Sequence, residues 1–274
     1  MKPQSFLEQI LFSTLRIELL SVQGSPIGIG TGFLLKVDME SKPGQSLILL
    51  FSNKHVFEGG NKFVVNFHGK KPGSEVPDLG NVYPFRAEDF SGAFYQHPDP
   101  NIDLACVNIS SLISELHPKI FFKFLTIDFF SNFDEPELDV GQKVVFVGYP
   151  DSRFDRKNNL PIVRDGIIAS HPKVDFDGNK QFIIDAQVFP GSSGSPVFLN
   201  VKEAQFNRGQ INLGGGGLPY KFLGVVAATM IRNNKVDFIQ AQHMPSTQEV
   251  IGLGIVFKAT ALHELIKIAI SAQS

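Results

Sequence analysis

Short apolar or alternating segments follow one another through this 274-residue chain, each closed by Gly, Pro, Asn or Asp. That punctuation constrains the fold more than any other feature, because it belongs to antiparallel sheets. Thr14 to Leu19 sets Leu15, Ile17 and Leu19 on one face and Thr14, Arg16 and Glu18 on the other, a half-buried strand. Further strands are expected at 32–37, 46–51, 62–67, 104–109, 143–149, 166–170, 181–188, 196–199, 222–229 and 252–257. Helical signals sit near the two ends. Ser5-Phe6-Leu7-Glu8 has capping-box spacing, and Leu262, Leu265, Ile266 and Ala269 share one helical face after Thr260, a candidate N-cap. Apolar residues at 43% and charged residues at 19% suit a globular chain, and with 26 Phe and no Trp the aromatic packing falls to phenylalanine. No fixed-period repeat is present. Three insertions are expected as mobile loops: 70–81, 151–160 and 200–220, the last with a Gly214-Gly215-Gly216-Gly217 run that reads as a flexible tether.

Chemistry concentrates in Phe189-Pro190-Gly191-Ser192-Ser193-Gly194-Ser195-Pro196, which follows an apolar strand. Ser193 is the candidate nucleophile. Glycines beside it let the backbone turn tightly and aim its amides at a substrate carbonyl with no Cβ in the way, so the N–H groups of Gly191 and Ser193 are the expected oxyanion donors. Upstream, the apolar strand ending in Ser52-Asn53-Lys54-His55 delivers a histidine able to accept the serine proton. Asp103, at the mouth of the apolar run Leu104-Ala105-Cys106-Val107, can hold that imidazole in one tautomer. The intervals are 103 − 55 = 48 and 193 − 103 = 90 residues. Only tertiary folding brings such residues together. Each is ordinary alone, as a surface histidine or a turn aspartate; the order His, Asp, Ser in these contexts points to acyl transfer.

At these residues the chain resembles the trypsin-like, chymotrypsin-fold serine peptidases, most closely the bacterial high-temperature-requirement and glutamyl-endopeptidase types. The resemblance extends over Gly28-Ile29-Gly30-Thr31-Gly32-Phe33, Ser52-Asn53-Lys54-His55-Val56, Asp103-Leu104-Ala105, Val144 to Pro150, Asp185-Ala186-Gln187, the serine turn and Gly252-Leu253-Gly254-Ile255-Val256. It implies an all-β fold of two packed six-stranded antiparallel β-barrels with a C-terminal helix, the catalytic groups lying between the lobes. One peptidase domain then spans 1–274, with lobes at about 14–125 and 138–258 and a helix at about 260–272. The implied activity is that of a serine endopeptidase working through an acyl-enzyme; the alternative is a silent or gated peptidase-like module that binds a peptide or partner protein.

By the same resemblance, Gln187 lies near the base of the specificity pocket, Val188 beside it, and Ala227, Ala228 and Thr229 form a wall. A neutral, moderately apolar side chain is the expected preference. Asp185 matches a position the bacterial relatives keep for structure. Departures from the family bear on regulation and selectivity. Ser192 stands where trypsin has an acidic residue that captures a new N-terminus, which speaks against activation by that ion pair. Ser195 replaces a glycine usual in the high-temperature-requirement type. The cleft strand lacks the histidine of glutamyl enzymes, leaving glutamate preference unsupported. An appended peptide-binding module, as in the high-temperature-requirement type, is not expected.

A formal net charge of −2 and no basic cluster leave no electrostatic footprint for nucleic acid. The single Cys106, inside an apolar run, reads as a small buried side chain. Glu8, Arg16 and Glu18 interrupt the first apolar stretch, which argues against a signal peptide, and no segment is apolar enough to span a membrane. A reducing, cytoplasmic compartment is expected. His68, His97, His117, His171, His243 and His263 lack metal-ligand spacing, and no metal or cofactor is expected. The expected partners are a protein or peptide substrate and, in the gated case, a regulatory protein.

Overall fold

β1 (Thr14–Leu20) buries Leu15, Ile17 and Leu19 while Arg16 and Glu18 stay half-exposed, as the alternation predicts. The structure is a computed structural model that describes residues 2–200, 205–207, 210–212, 220–235 and 246–273. Ahead of β1, the helix α1 (Phe6–Ile10) starts on the expected capping box: the Ser5 hydroxyl accepts the Glu8 N–H at 3.2 Å, and the Glu8 carboxylate accepts that of Ser5 at 3.0 Å.

The N-terminal half adds β2 (Pro26–Asp38), β3 (Ser46–Ser52), β4 (Lys62–Lys70), β5 (Pro77–Ala87), β6 (Phe94–Gln96), β7 (Ala105–Asn108), helix α2 (Ser110–Leu116), β8 (Ile120–Phe121) and β9 (Leu125–Thr126). They form a nine-stranded sheet in the order β5-β4-β1-β2-β3-β7-β6, with β8 on β4 and β9 parallel to β2. The second half contributes β10 (Lys143–Gly148), β11 (Ile162–Ile168), β12 (Gln181–Asp185), β13 (Pro196–Asn200), the small pair β14 (Gln205–Asn207) and β15 (Gln210–Asn212), β16 (Tyr220–Lys235) and β17 (Ser246–Lys258), followed by α3 (Ala259–Ser271). Six of these close a barrel, β10-β11-β12-β17-β16-β13. The all-β, chymotrypsin-like architecture with a C-terminal helix is therefore present, as one closed six-stranded barrel and a second sheet.

Phenylalanine joins the halves. Phe33 of β2 and Phe222 of β16, both fully buried, have ring centroids 5.3 Å apart, and Phe222 also meets Phe130 at 4.8 Å and Phe198 at 5.7 Å. From the opposite direction α1 sends Phe6 onto the barrel, stacked on Tyr220 at 4.7 Å. Each large apolar side chain so buried contributes on the order of 2 kcal/mol.

Three local expectations need correction. The segment 70–81 is no long loop: β4 runs on to Lys70 and β5 begins at Pro77. Pro77, Gly80 and Pro84 look like breakers, yet β5 lies at the sheet's edge, where a proline's missing N–H forfeits no ladder bond. The segment 151–160 is pinned rather than mobile. Asp155 and Leu160 exchange backbone bonds at 3.0 and 3.2 Å, the Asn159 amide donates to the Asn66 carbonyl at 3.1 Å, and His68 Nε2 meets the Asn158 carbonyl at 3.0 Å. At α3 the N-cap is Lys258, with no side-chain cap bond, and Thr260 falls inside the helix. The Gly214–Gly217 run lies outside the described residues.

Candidate active site

Strand register brings His55 to Asp103. β3 pairs antiparallel with β7 so that Ser52 faces Ala105; three residues beyond the first and two before the second, the chain reaches His55 and Asp103. A short 3-10 turn, Lys54–Phe57, buries Val56 and Phe57 and leaves His55 outside. Ile102 and Leu104 are both buried, which anchors the backbone on either side of Asp103. The Asn53 amide donates to the Asp103 carbonyl at 2.7 Å.

The Asp103 carboxylate takes two bonds from one residue. Oδ1 accepts the His55 backbone N–H at 3.1 Å, and Oδ2 lies 2.6 Å from His55 Nδ1. An ionised carboxylate only accepts, so Nδ1 carries the proton and the neutral ring keeps a lone pair on Nε2. That is the tautomer a general base requires.

Three serines crowd the turn between β12 and β13, and exposure separates them. Ser192 and Ser195 are 1% and 0% exposed, whereas Ser193 is half-buried and reachable. Its hydroxyl donates to the Ala227 carbonyl at 3.0 Å. Among the described residues no hydrogen bond joins His55 to Ser193; the structure brings histidine and aspartate into contact and leaves the serine turned to β16.

Around Ser193 the carbonyls are all claimed by donors. The Asp151 N–H donates to the Pro190 carbonyl at 2.6 Å, the Thr31 hydroxyl to that of Gly191 at 2.7 Å, the Ser195 N–H to that of Ser192 at 3.0 Å and the Thr31 N–H to that of Ser193 at 2.8 Å. In a trans peptide the N–H points opposite to the C=O. Fixing the Pro190 and Ser192 carbonyls therefore aims the N–H groups of Gly191 and Ser193 the other way, and among the described residues neither has a partner, whereas Ser192, Gly194 and Ser195 all donate. The turn depends on glycine: Gly191 and Gly194 have φ of +85° and +88°, and a Cβ on Gly194 would collide with the Thr31 carbonyl and the Ser52 hydroxyl.

The specificity candidates differ in exposure. Gln187 is exposed, Val188 and Ala227 are buried, and Ala228 and Thr229 continue β16. Asp185 is exposed and pairs through its backbone with Ile167 and Leu253. Sequence reasoning overlooked the residues that hold the turn, Thr31 and Asp151. Each carried a signal: a hydroxyl between two glycines inside an apolar strand, and an aspartate after Tyr149-Pro150, here at φ +46°, in the left-handed region that Asp tolerates better than most residues. Among the described residues no group of three or more His, Cys, Asp or Glu is placed to hold a metal, and no helix is long and apolar enough to cross a membrane. Burial pushes the Cys106 thiol well above its ordinary pKa, so it stays protonated.

Residues 30–204 match the family model of the trypsin-like peptidase domain, a span of more than half the chain that takes in His55, Asp103 and Ser193. The chain belongs to this family, and its class is that of a serine endopeptidase. Among solved structures it is similar to the active form of the Rv3671c protease from M. tuberculosis, at 19% identity and a TM-score of 0.49 over 97% of this chain and 87% of that one. It is also similar to the thermostable serine protease AL20 from an extremophilic microorganism, at 14% identity and a TM-score of 0.46 over 94% and 97%. No curated protein matches the sequence.

Proposed function

We propose that the chain hydrolyses peptide bonds of protein or peptide substrates through a His55-Asp103-Ser193 triad and an acyl-enzyme. Ser193 Oγ attacks the carbonyl carbon while His55 Nε2 takes its proton, and the N–H groups of Gly191 and Ser193 stabilise the oxyanion. Collapse of the tetrahedral intermediate breaks the C–N bond, and the amine leaves with the proton from His55. Water, deprotonated by the same imidazole, then releases the acyl group and restores the hydroxyl. The observation that carries this reading is the double bond set between Asp103 and His55, which fixes the tautomer that leaves Nε2 free. Gln187, Val188, Ala227, Ala228 and Thr229 are proposed to shape the pocket for a neutral side chain. A cytoplasmic setting agrees with a lone, buried cysteine.

A gated version of the same enzyme, awaiting a regulatory protein, has one observation in its favour, the Ser193 hydroxyl resting on Ala227. Fluorophosphonate labelling separates the readings. Constitutive activity predicts labelling of the purified chain and none of Ser193→Ala, with Ser192→Ala and Ser195→Ala still reactive. Labelling only after a partner is added identifies gating; no labelling in either case leaves a silent module.

A further inference from the structure

Thr31 is fully buried, yet every polar atom it has is engaged, and all of them reach the site from a strand of the other lobe. Its hydroxyl donates to the Gly191 carbonyl at 2.7 Å and accepts the Tyr149 N–H at 3.0 Å. Its N–H donates to the Ser193 carbonyl at 2.8 Å, and its carbonyl accepts the Ser52 hydroxyl at 2.6 Å, three residues before His55. One side chain on β2 thus ties the serine turn to the end of β10, and its backbone ties that turn to the strand that delivers the histidine.

We propose that Thr31 is a positioning residue for oxyanion stabilisation: its hydroxyl locks the Gly191–Ser192 peptide, the unit lying between the two N–H donors, and so holds those donors convergent. The proposal rests on the reading of Ser193 as nucleophile with Gly191 and Ser193 as donors. The two donor peptides have their own anchors, in Asp151 and Ser195, but the peptide between them has only this hydroxyl on its carbonyl among the described residues. A serine here retains both bonds. A valine keeps the β-branched shape and leaves the Gly191 carbonyl and the Tyr149 N–H buried without partners. The intervening peptide then keeps only the Ser192 N–H bond to the Phe189 carbonyl and can tilt about it, carrying the Gly191 N–H out of line with the developing negative charge.

The test measures fluorophosphonate labelling of the full chain against reagent concentration. In that reaction the Ser193 Oγ–P bond forms, the P–F bond breaks, fluoride leaves, the hydroxyl proton passes to His55, and the phosphoryl oxygen occupies the oxyanion site. Thr31→Val is expected to lower the limiting labelling rate by about tenfold to a hundredfold, since losing one oxyanion donor outright costs about a hundredfold or more, while half-saturation stays near the wild-type concentration. Thr31→Ser is expected to restore the wild-type rate. If Thr31→Val does not fold, Thr31→Ser and Thr31→Cys form the deciding pair, because the thiol is similar in shape but donates weakly; the Cys variant is then expected to be the slower. A folded Thr31→Val that labels at the wild-type limiting rate, or a Cys variant as fast as the Ser variant, overturns the proposal. Labelling that survives Ser193→Ala, or a wild-type chain labelled neither alone nor with a partner, overturns the underlying reading instead.

Discussion

The Ser193 hydroxyl donates to the main-chain carbonyl of Ala227 at 3.0 Å. A carbonyl holds that proton without accepting transfer, so the arrangement parks the hydroxyl rather than activating it. Among the described residues it makes no bond to His55, and in serine peptidases such catalytic bonds commonly tighten only once substrate is present. The peptides that carry the Gly191 and Ser193 N–H groups, by contrast, have their carbonyls already hydrogen-bonded, at Pro190 and Ser192.

Replacing Asp103 by Asn keeps the shape of the side chain but turns one of its two acceptor oxygens into an NH2 donor, so His55 loses either its backbone bond or the acceptor that sets the imidazole tautomer. Labelling of Ser193 is expected to slow by roughly ten-thousand-fold. The melting temperature, measured alongside, is expected to change little, because Asp103 is partly exposed.

Gly194→Ala places a methyl group against the Thr31 carbonyl and the Ser52 hydroxyl at a φ of +88°. The turn has to move. Loss of labelling by at least a hundredfold is expected, consistent with the cost of displacing reacting groups by about 1 Å. Circular dichroism distinguishes a displaced turn from an unfolded chain.

Phe222→Ala opens a cavity where Phe33, Phe130 and Phe198 converge between sheet and barrel. A loss of about 3–5 kcal/mol is expected in denaturant unfolding. An effect below about 1 kcal/mol would show that this cluster does not join the lobes.

His68 titrates below the ordinary histidine value because burial disfavours its charged form, a bias that its bond to the Asn158 carbonyl only partly offsets. A depressed histidine leaves stability unaffected above the unfolded pKa of about 6.5, where both states are neutral. As pH falls through that value the unfolded chain takes up the proton first, and stability drops until the lower folded pKa is reached. The melting temperature is expected to fall between about pH 7 and pH 5, and His68→Gln is expected to flatten that slope. His97 and His263 shift the same way, both chiefly through burial, and add to that slope.

Much of this protein could be read along the chain because the relevant physics is local. Alternation in 14–19 marks a half-buried strand wherever it is placed, Ser5 and Glu8 cap a helix three residues apart, and the Gly-Ser turn at 191–194 needs left-handed backbone that glycine alone adopts freely. His55, Asp103 and Ser193 stand out as candidates for the same reason, each being a polar group set at the edge of an apolar run.

What tertiary structure alone decided are contacts across distance. Whether 77–87 pairs or loops depends on an edge position that no propensity encodes, and 151–160 is pinned where Asn158 and Asn159 meet His68 and Asn66 of β4, 90 and 93 positions away in sequence. Thr31 looks like any strand residue until β2 lies across the serine turn, 160 positions on. Composition and periodicity state which groups must be buried or turned; which donor meets which acceptor is settled only when the two sheets close on each other, since a hydrogen bond depends on a few tenths of an ångström and an angle that sequence spacing does not carry.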